Sequence, residues 1–550
     1  MNKKKIFYKI LVVLVLVLMI NIIGNFFFYR FDITQDQRYT LSTQTKKIVS
    51  NVDQPILVEV YLKGDFPSEF KRLQLETTQI LEELQSFNPN LVIKFIDPLP
   101  IADELINNGL TPSRLTAQEN GSVSETIIFP WAVIHYKNRF ELVSLLKNNY
   151  LGDSDEQLQQ SIQNLEFAFA DGFQKLTIQK SKKIAVLRGN GELDDLYLAD
   201  FLKTLGEQYH LAPFTLDSVT NNPIKTLQQL ADFDLAIIAK PTQKFTEEEK
   251  FTLDQYLMKG GKTLWLLDQV QAELDSLIVT GESPILPRDL NLTDLLFAYG
   301  VRINYTIVQD LYSSKITLAT GNVGNQPQYD QFLWNYFPLI MPKNNHVINK
   351  NIEPVQLKFP SSIDTLSNHI KKTILLESSP LSRIDGVPTM VSLKSILDKP
   401  NPENYKGTPK ILGVLLEGNF ESAYKNRVQP FKTLNYTTES NPTKMILIAD
   451  GDIIVNQIHQ GKPLPLGQDK WTNSFYGNKA FLLNAVNYLL DDDGLISIRN
   501  KSLEIKLLDK EKAYRERAFW KLFNSIVPLF LLLIFALIIY FYRKKKFKFK

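Results

Sequence analysis

Three stretches of this 550-residue chain carry side chains that could do chemistry. Arg188-Gly189-Asn190-Gly191-Glu192 follows the apolar run KKIAVL, where two glycines would let the backbone approach a small anion. Asp450-Gly451-Asp452 closes the apolar run MILIA and sets two carboxylates at a second strand end. Asp268 closes a third, KTLWLLDQ. In a doubly wound sheet, ligands bind beyond the carboxyl ends of the strands. Arg188, Asn190, Glu192, Asp268, Asp450 and Asp452 are therefore the candidate lining of a ligand crevice. Each has a plainer reading. The glycine stretch breaks G-x-G-x-x-G, because Asp194 stands at the third glycine position, and a strand-to-helix turn explains it. The aspartate pair lacks the EF-hand pattern, since Gly461 occupies position 12, and N-capping in a turn explains it.

Other chemistry is excluded more firmly. Gly261-Lys262-Thr263 ends like a P-loop, but Tyr256 replaces the first glycine and the lysine opens a strand. No two of His135, His210, His346, His369 and His459 lie within four residues, so there is no local zinc motif. No G-x-S-x-G elbow occurs. Cysteine is absent, which removes disulfides, thiolate metal sites and any Cys nucleophile. The reading is a chain with no catalytic residue, no cofactor site and no metal site.

The elements that must position these residues read as α/β. Strands at 182–188, 210–216, 233–241 and 262–269 alternate with helical runs at 195–209 and 246–259. Thr246 and Glu249 form a capping box. This order predicts a doubly wound parallel sheet. Residues 275–442, rich in proline and polar turns, read as a long insertion, with the sheet resuming near Thr443. Upstream, PILVEVYL, a helix over 66–87, LVIKFIDP and a hairpin around Lys137-Asn138 resemble a thioredoxin-like domain without the C-x-x-C. A helix with Leu158, Ile162, Leu165, Phe169, Phe173 and Leu176 on one face links the two parts.

Two apolar runs flank all this. Residues 10–28 span about 28 Å as a helix, near the roughly 30 Å hydrocarbon core. The run is too long for a signal-peptide core and ends in Phe26-Phe27-Phe28-Tyr29-Arg30, so a retained anchor is expected. Residues 523–542 form the second run, with Phe519, Trp520, Tyr540 and Tyr542 at its borders. Ten cations sit at the two tips: Lys3, Lys4, Lys5, Lys9, Arg543, Lys544, Lys545, Lys546, Lys548 and Lys550. Without them 52 Lys and Arg face 59 Asp and Glu, so the middle is acidic and a charge-based nucleic-acid role is excluded. The positive-inside rule puts both tips in the cytoplasm and residues about 30–515 on the far side.

The resulting organisation is a cytoplasmic tip and first span (1–29), a thioredoxin-like periplasmic domain (30–152) and a linker helix (153–180). The first part of the sheet domain (181–274), the insertion (275–442) and the last part (443–510) follow, then the second span and basic tail (511–550).

Four stretches, FDITQDQRYTLS, LVEVYLKGDFPSEFKRL, GDIIVNQ and GNKAFLLNAVNYLLDDDGLISIRNK, resemble the gliding-motility-associated ABC transporter auxiliary (substrate-binding-like) subunit family, GldG, along nearly the whole chain. The resemblance implies a complex with a separate ATPase and a multispanning permease in a bacterial inner membrane. It also implies a class I glutamine amidotransferase-like fold in the exported middle, where the missing cysteine rules out glutaminase chemistry. The expected function is a non-enzymatic subunit whose periplasmic part binds a protein or glycan. A polysaccharide co-polymerase-like two-span regulator and a cell-envelope carbohydrate-binding protein or hydrolase are the alternatives.

Overall fold

The computed structural model describes residues 12–17, 19, 40–64, 66, 68–119, 122–147, 154–177, 181–324, 326–342, 346–350, 352–397, 399–433, 435–491 and 510–547. These fall into two units, Met1–Ser502 and Leu503–Lys550.

In the larger unit, helix α1 (Thr43–Ser50) is capped by the Ser42 hydroxyl, which accepts from the Thr45 N–H. Strand β1 (Ile56–Val60), helix α2 (Ser68–Phe87) and β2 (Leu91–Phe95) form a β-α-β unit with parallel strands. Strands β3 (Trp131–Tyr136) and β4 (Arg139–Ser144) make the predicted hairpin, turning at Lys137 with φ +55°, and complete the sheet order β2-β1-β3-β4. Helix α3 (Ser154–Thr177) buries the six apolar residues whose spacing predicts it. It is held to this first part. The Glu166 carboxylate accepts from the Ser42 N–H at 2.7 Å and the Thr45 hydroxyl at 2.8 Å, and the Lys175 ammonium meets Glu141 at 2.7 Å.

The second part is built on a nine-stranded sheet. Strands β5 (Lys183–Arg188), β6 (His210–Thr215), β7 (Leu235–Ala239) and β8 (Lys262–Leu266) are parallel, in the order β8-β7-β5-β6. Between them lie helices α4 (Asp195–Gln208), α5 (Pro223–Leu230) and α6 (Glu247–Met258), the last opened by the Thr246–Glu249 capping box. Five more strands follow: β9 (Val301–Ile303), β12 (Ile363–Thr365), β13 (Lys371–Glu377), β14 (Ile411–Gly418) and β15 (Thr443–Ile448). Strand β15 pairs parallel with β8, giving five parallel strands. The other four attach antiparallel beyond β15, so the sheet is mixed and not the purely parallel one expected. The reason lies in the connections. A parallel return needs a crossover, usually a helix, and the described residues between Gly418 and Thr443 form none. The remaining long pair, β10 (Ser313–Val323) and β11 (Gln326–Ile340), forms a hairpin outside this sheet.

Alternation along each strand supplies two cores. Ile184, Val186, Ile237 and Leu264 face α4 and a last helix, α7 (Asn478–Leu490), through Leu198, Phe201, Phe481 and Leu482. Ala185, Leu187, Ile238 and Trp265 face α6 through Phe251, Tyr256 and Leu257. Covering both faces leaves the carboxyl ends of the parallel strands as the place where polar side chains gather.

In the smaller unit, helix α8 (Arg517–Phe547) is long and apolar enough over Arg517–Lys545 to cross a membrane, with a mean hydropathy of 2.7 in its most apolar window. Of the two predicted spans, this is the candidate present among the described residues. The first, 10–28, lies mostly outside them, and the residues described within it, 12–17 and 19, are helical.

Candidate functional site

Strands β7, β8 and β15 are neighbours, so the residues just past their carboxyl ends must meet. Lys240 follows β7 in the left-handed region at φ +54°, and its N–H donates to the Leu266 carbonyl at 2.9 Å. Asp268 follows β8 by two residues, and Asp450-Gly451-Asp452 follows β15. The Lys240 ammonium, with its side chain 6% exposed, lies 2.7 Å from Asp452 Oδ1, 3.2 Å from Glu273 Oε2 and 3.6 Å from Asp268 Oδ2. Arg288 Nη2 reaches Glu273 Oε1 at 3.4 Å. The Gly451 N–H donates to Asp268 Oδ1 at 2.5 Å. A side chain at position 451 is excluded, because a Cβ there would meet Lys240 Cγ at 2.6 Å. Asp450 is fully buried, and its two oxygens accept from the backbone N–H groups of Lys358 (2.6 Å) and Asp452 (2.7 Å).

Four carboxylates and two cations thus gather here, all but the half-exposed Glu273 largely out of water. Burial, then the nearby Asp452 and Asp268 charges, raises the Asp450 pKa well above the carboxylate range. Burial and the Asp452 charge push Asp268 up to about 6. Burial alone would lower Lys240, but Asp452, Asp268 and Glu273 outweigh it and raise its pKa, so it stays charged. Asp268, Asp450 and Asp452 hold oxygens within 4.8 Å of one another and are the described residues best placed to hold a metal ion. The donor set fits one poorly. Asp450 is committed to two backbone donors, and the Lys240 ammonium already pairs with Asp452 and Asp268. What the cluster can do is fix three strand ends and present a charged floor.

Above that floor opens a cavity of about 500 Å³. Lys240, Glu273 and Asp452 lie at its base, while Leu274, Ile278, Ile316, Leu318, Phe337 and Phe359 form an apolar wall. Lys315, Lys358 and Lys470 border it, with Trp471 beside Lys470.

Of the six candidates read from the sequence, Asp268, Asp450 and Asp452 come together, and Asp452 also borders the cavity. The other three do not join them. Arg188 turns to Asp195 on α4 and to its own strand's Leu187 carbonyl. Asn190 is buried, donating to Glu249 Oε2 at 3.0 Å, and its carbonyl accepts from the N–H groups of Thr242 and Gln243. Glu192 bends back to accept from the Asn190 N–H at 2.8 Å, and burial raises its pKa. Gly191, at φ +71°, packs so closely on Thr242 that a Cβ would meet its hydroxyl at 2.2 Å. The strand order changes direction between β5 and β7, which is where a doubly wound sheet offers a crevice. Here the chain's own 189–193 and 240–243 loops fill it. Sequence reasoning missed Lys240, and its one signal was a cation ending the apolar strand FDLAIIAK.

A family model described as an ABC-type uncharacterized transport system matches residues 181–485. The chain belongs to that family. The matched region holds the nine-stranded sheet, the charge cluster and the cavity. A domain of unknown function matches residues 35–135, the first α/β part. An uncharacterized protein of Borreliella burgdorferi is 20% identical over 537 residues, covering 94% of each chain. The solved mmIFT52 N-terminal domain is 14% identical and covers 57% of this chain and 99% of its own, with a TM-score of 0.29. Membership in the ABC-type family makes this a transporter-associated subunit, and α8 gives it a candidate membrane helix.

Proposed function

We propose that the chain is a non-catalytic, membrane-anchored subunit of an ABC transport complex. Its terminal helices dock against a permease that works with a separate ATPase, and residues about 30–515 lie in the periplasm of an inner-membrane bacterium, where they bind a partner or ligand. The family match over 181–485 carries this reading. The cations that end α8, Arg543 to Lys546, with Lys548 and Lys550 after it, support a cytoplasmic C-terminus, and Lys3-Lys4-Lys5 supports the same side for the N-terminus. The stretches resembling GldG support a role in gliding motility. The strand orders support the thioredoxin-like and amidotransferase-like readings of the two parts. A non-catalytic role is supported by the cluster itself, whose carboxylates are engaged by Lys240, Arg288 and backbone donors. In this reading Asp268, Asp450 and Asp452 scaffold the floor of the ligand site, and Arg188, Asn190 and Glu192 close the neighbouring loop.

Affinity purification of the detergent-solubilised chain tests the complex. A permease and an ATPase are expected to co-purify. Recovery of the chain alone, under conditions that keep other ABC complexes intact, overturns the reading.

A further inference from the structure

The cavity is asymmetric in a way that selects a ligand. Its volume, about 500 Å³, falls in the roughly 300–1,000 Å³ range of small-molecule sites. One wall is apolar: Ile316 and Leu318 on β10, Phe337 on β11, and Phe359. Ile278, 54% exposed, continues it. Three lysines border the space, and none forms an ion pair with a described residue. Lys315 is exposed, the Lys358 ammonium lies over the Phe337 ring at 5.9 Å, and that of Lys470 lies over Trp471 at 5.4 Å. The fourth cation, Lys240, is held by Asp452 and Glu273 at the floor. The remaining acid, Asp469, accepts the Trp471 and Thr472 N–H groups and the Gln457 amide.

A small inorganic anion has little reason to enter, because the floor presents carboxylates and the wall presents hydrocarbon. A neutral hydrocarbon would cover the wall but pair with none of the three ammonium groups. An anion with an apolar body meets both demands, its head on the lysines and its body on the wall. We propose that this cavity binds a single-chain amphiphilic organic anion, a carboxylate or phosphate on a hydrocarbon body. Lys315, Lys358 and Lys470 take the head, and the Ile316–Leu318–Phe337–Phe359 wall takes the chain.

The inference rests on the ligand-binding half of the proposed function and not on the complex. A chain that binds the probe yet recovers no permease keeps this site, and the converse loses it alone.

The test is photo-crosslinking of the full-length, detergent-solubilised protein with a diazirine-bearing dodecanoate, followed by peptide mapping. Label is expected on peptides covering 274–280, 313–323 and 335–340, besides the membrane helix, whose labelling serves as an internal reference. A triple variant, Lys315→Glu with Lys358→Glu and Lys470→Glu, is expected to cut cavity labelling at least tenfold relative to that helix. Leu318→Glu, which sets a carboxylate on the wall while leaving the three lysines, is expected to do the same. Protection by excess octanoate or octyl phosphate supports the site and tells which head group it prefers. Label confined to the helix, cavity labelling that neither variant reduces, or equal protection by octanol overturns it.

Discussion

Two sets of strand ends in one sheet, about one strand apart, reach opposite outcomes. Past β5, the 188–192 turn spends every polar group on the chain itself: Arg188 on Asp195, Asn190 on Glu249, Glu192 on Asn190. Past β7, β8 and β15, the same kind of position gathers Lys240, Asp268, Asp450 and Asp452 under an open cavity. The difference is where the chain goes next. After β5 it enters α4 at Asp195 and lies on the 240–243 loop, sealing the gap. After β8 it runs through a short strand (Val270–Gln271) and the helix Leu274–Thr280, and after β15 through a single tight helical turn (Asp452–Ile454); Glu273, Leu274, Ile278 and Asp452 from these segments line the cavity instead of closing it. A strand-end position is a place where a site can be built; the exit path of the chain decides whether space remains for a ligand.

The largest effect expected from this contrast is at Lys240. Lys240→Met removes the cation facing Asp452, Asp268 and Glu273, and breaking a buried ion pair from one side costs about 3–5 kcal/mol. Denaturant unfolding at pH 8 measures it. A loss below about 1 kcal/mol would mean that the cluster is not held by its lysine.

The second effect is a pH dependence. Burial, then Asp452, raises Asp268 to about 6 in the folded chain, against about 3.9 unfolded. The folded state therefore binds the proton more tightly. Its stabilisation is full below about pH 4 and is lost as pH rises through about 6, on the order of 3 kcal/mol in total. Acids whose folded pKa is lowered, such as Asp294 and Glu417, pull the other way. They cancel when wild type is compared with Asp268→Asn, and that difference is expected to fall between pH 4 and 6. A flat difference would place Asp268 in water, with no distinction left between the two sets of strand ends.

Next comes the sealed turn. Gly191→Ala forces a side chain into φ +71° and against the Thr242 hydroxyl, which donates to the Gly191 carbonyl at 2.9 Å. Left-handed strain of about 1 kcal/mol and a lost hydrogen bond of about 1 kcal/mol predict a loss near 2 kcal/mol. A neutral outcome by thermal unfolding would mean that the loops do not seal the gap.

Much of the frame was legible because local signals agreed with the final packing. The Thr246–Glu249 box opens α6, the heptad-like face of α3 is buried, and β15 starts at Thr443. The antiparallel half was not. Strands β9 and β12 have three residues each, too few to show a period, and the long β11 is exposed over its first half, so alternation does not stand out. The site was half legible for a related reason. Asp268, Asp450 and Asp452 are acids ending apolar strands, an arrangement a sequence displays. Lys240 looks like a solvated strand end until β7 is known to lie beside β8, and the cavity wall comes from β10 and β11, far from any motif.

The smallest effect is the sharpest check of the contrast, because the sequence alone ranks Arg188 beside Asp452. Both are charged, both lie at the carboxyl ends of apolar strands, and both have one close ionic partner. The partners differ: Asp452 faces the buried Lys240, whereas Arg188 faces Asp195, whose side chain is 82% exposed. An ion pair with one member in water contributes about 0–1 kcal/mol, and water replaces it when it is lost. Arg188→Ala is therefore expected to shift unfolding by less than about 1 kcal/mol and to leave cavity photolabelling unchanged. Asp452→Ala is expected to lower both, since Lys240 then loses its 2.7 Å partner beneath the cavity. If Arg188→Ala reduced labelling as much as Asp452→Ala, the 188–192 turn would belong to the ligand site after all, and the exit path of the chain would not be what separates the two sets of strand ends.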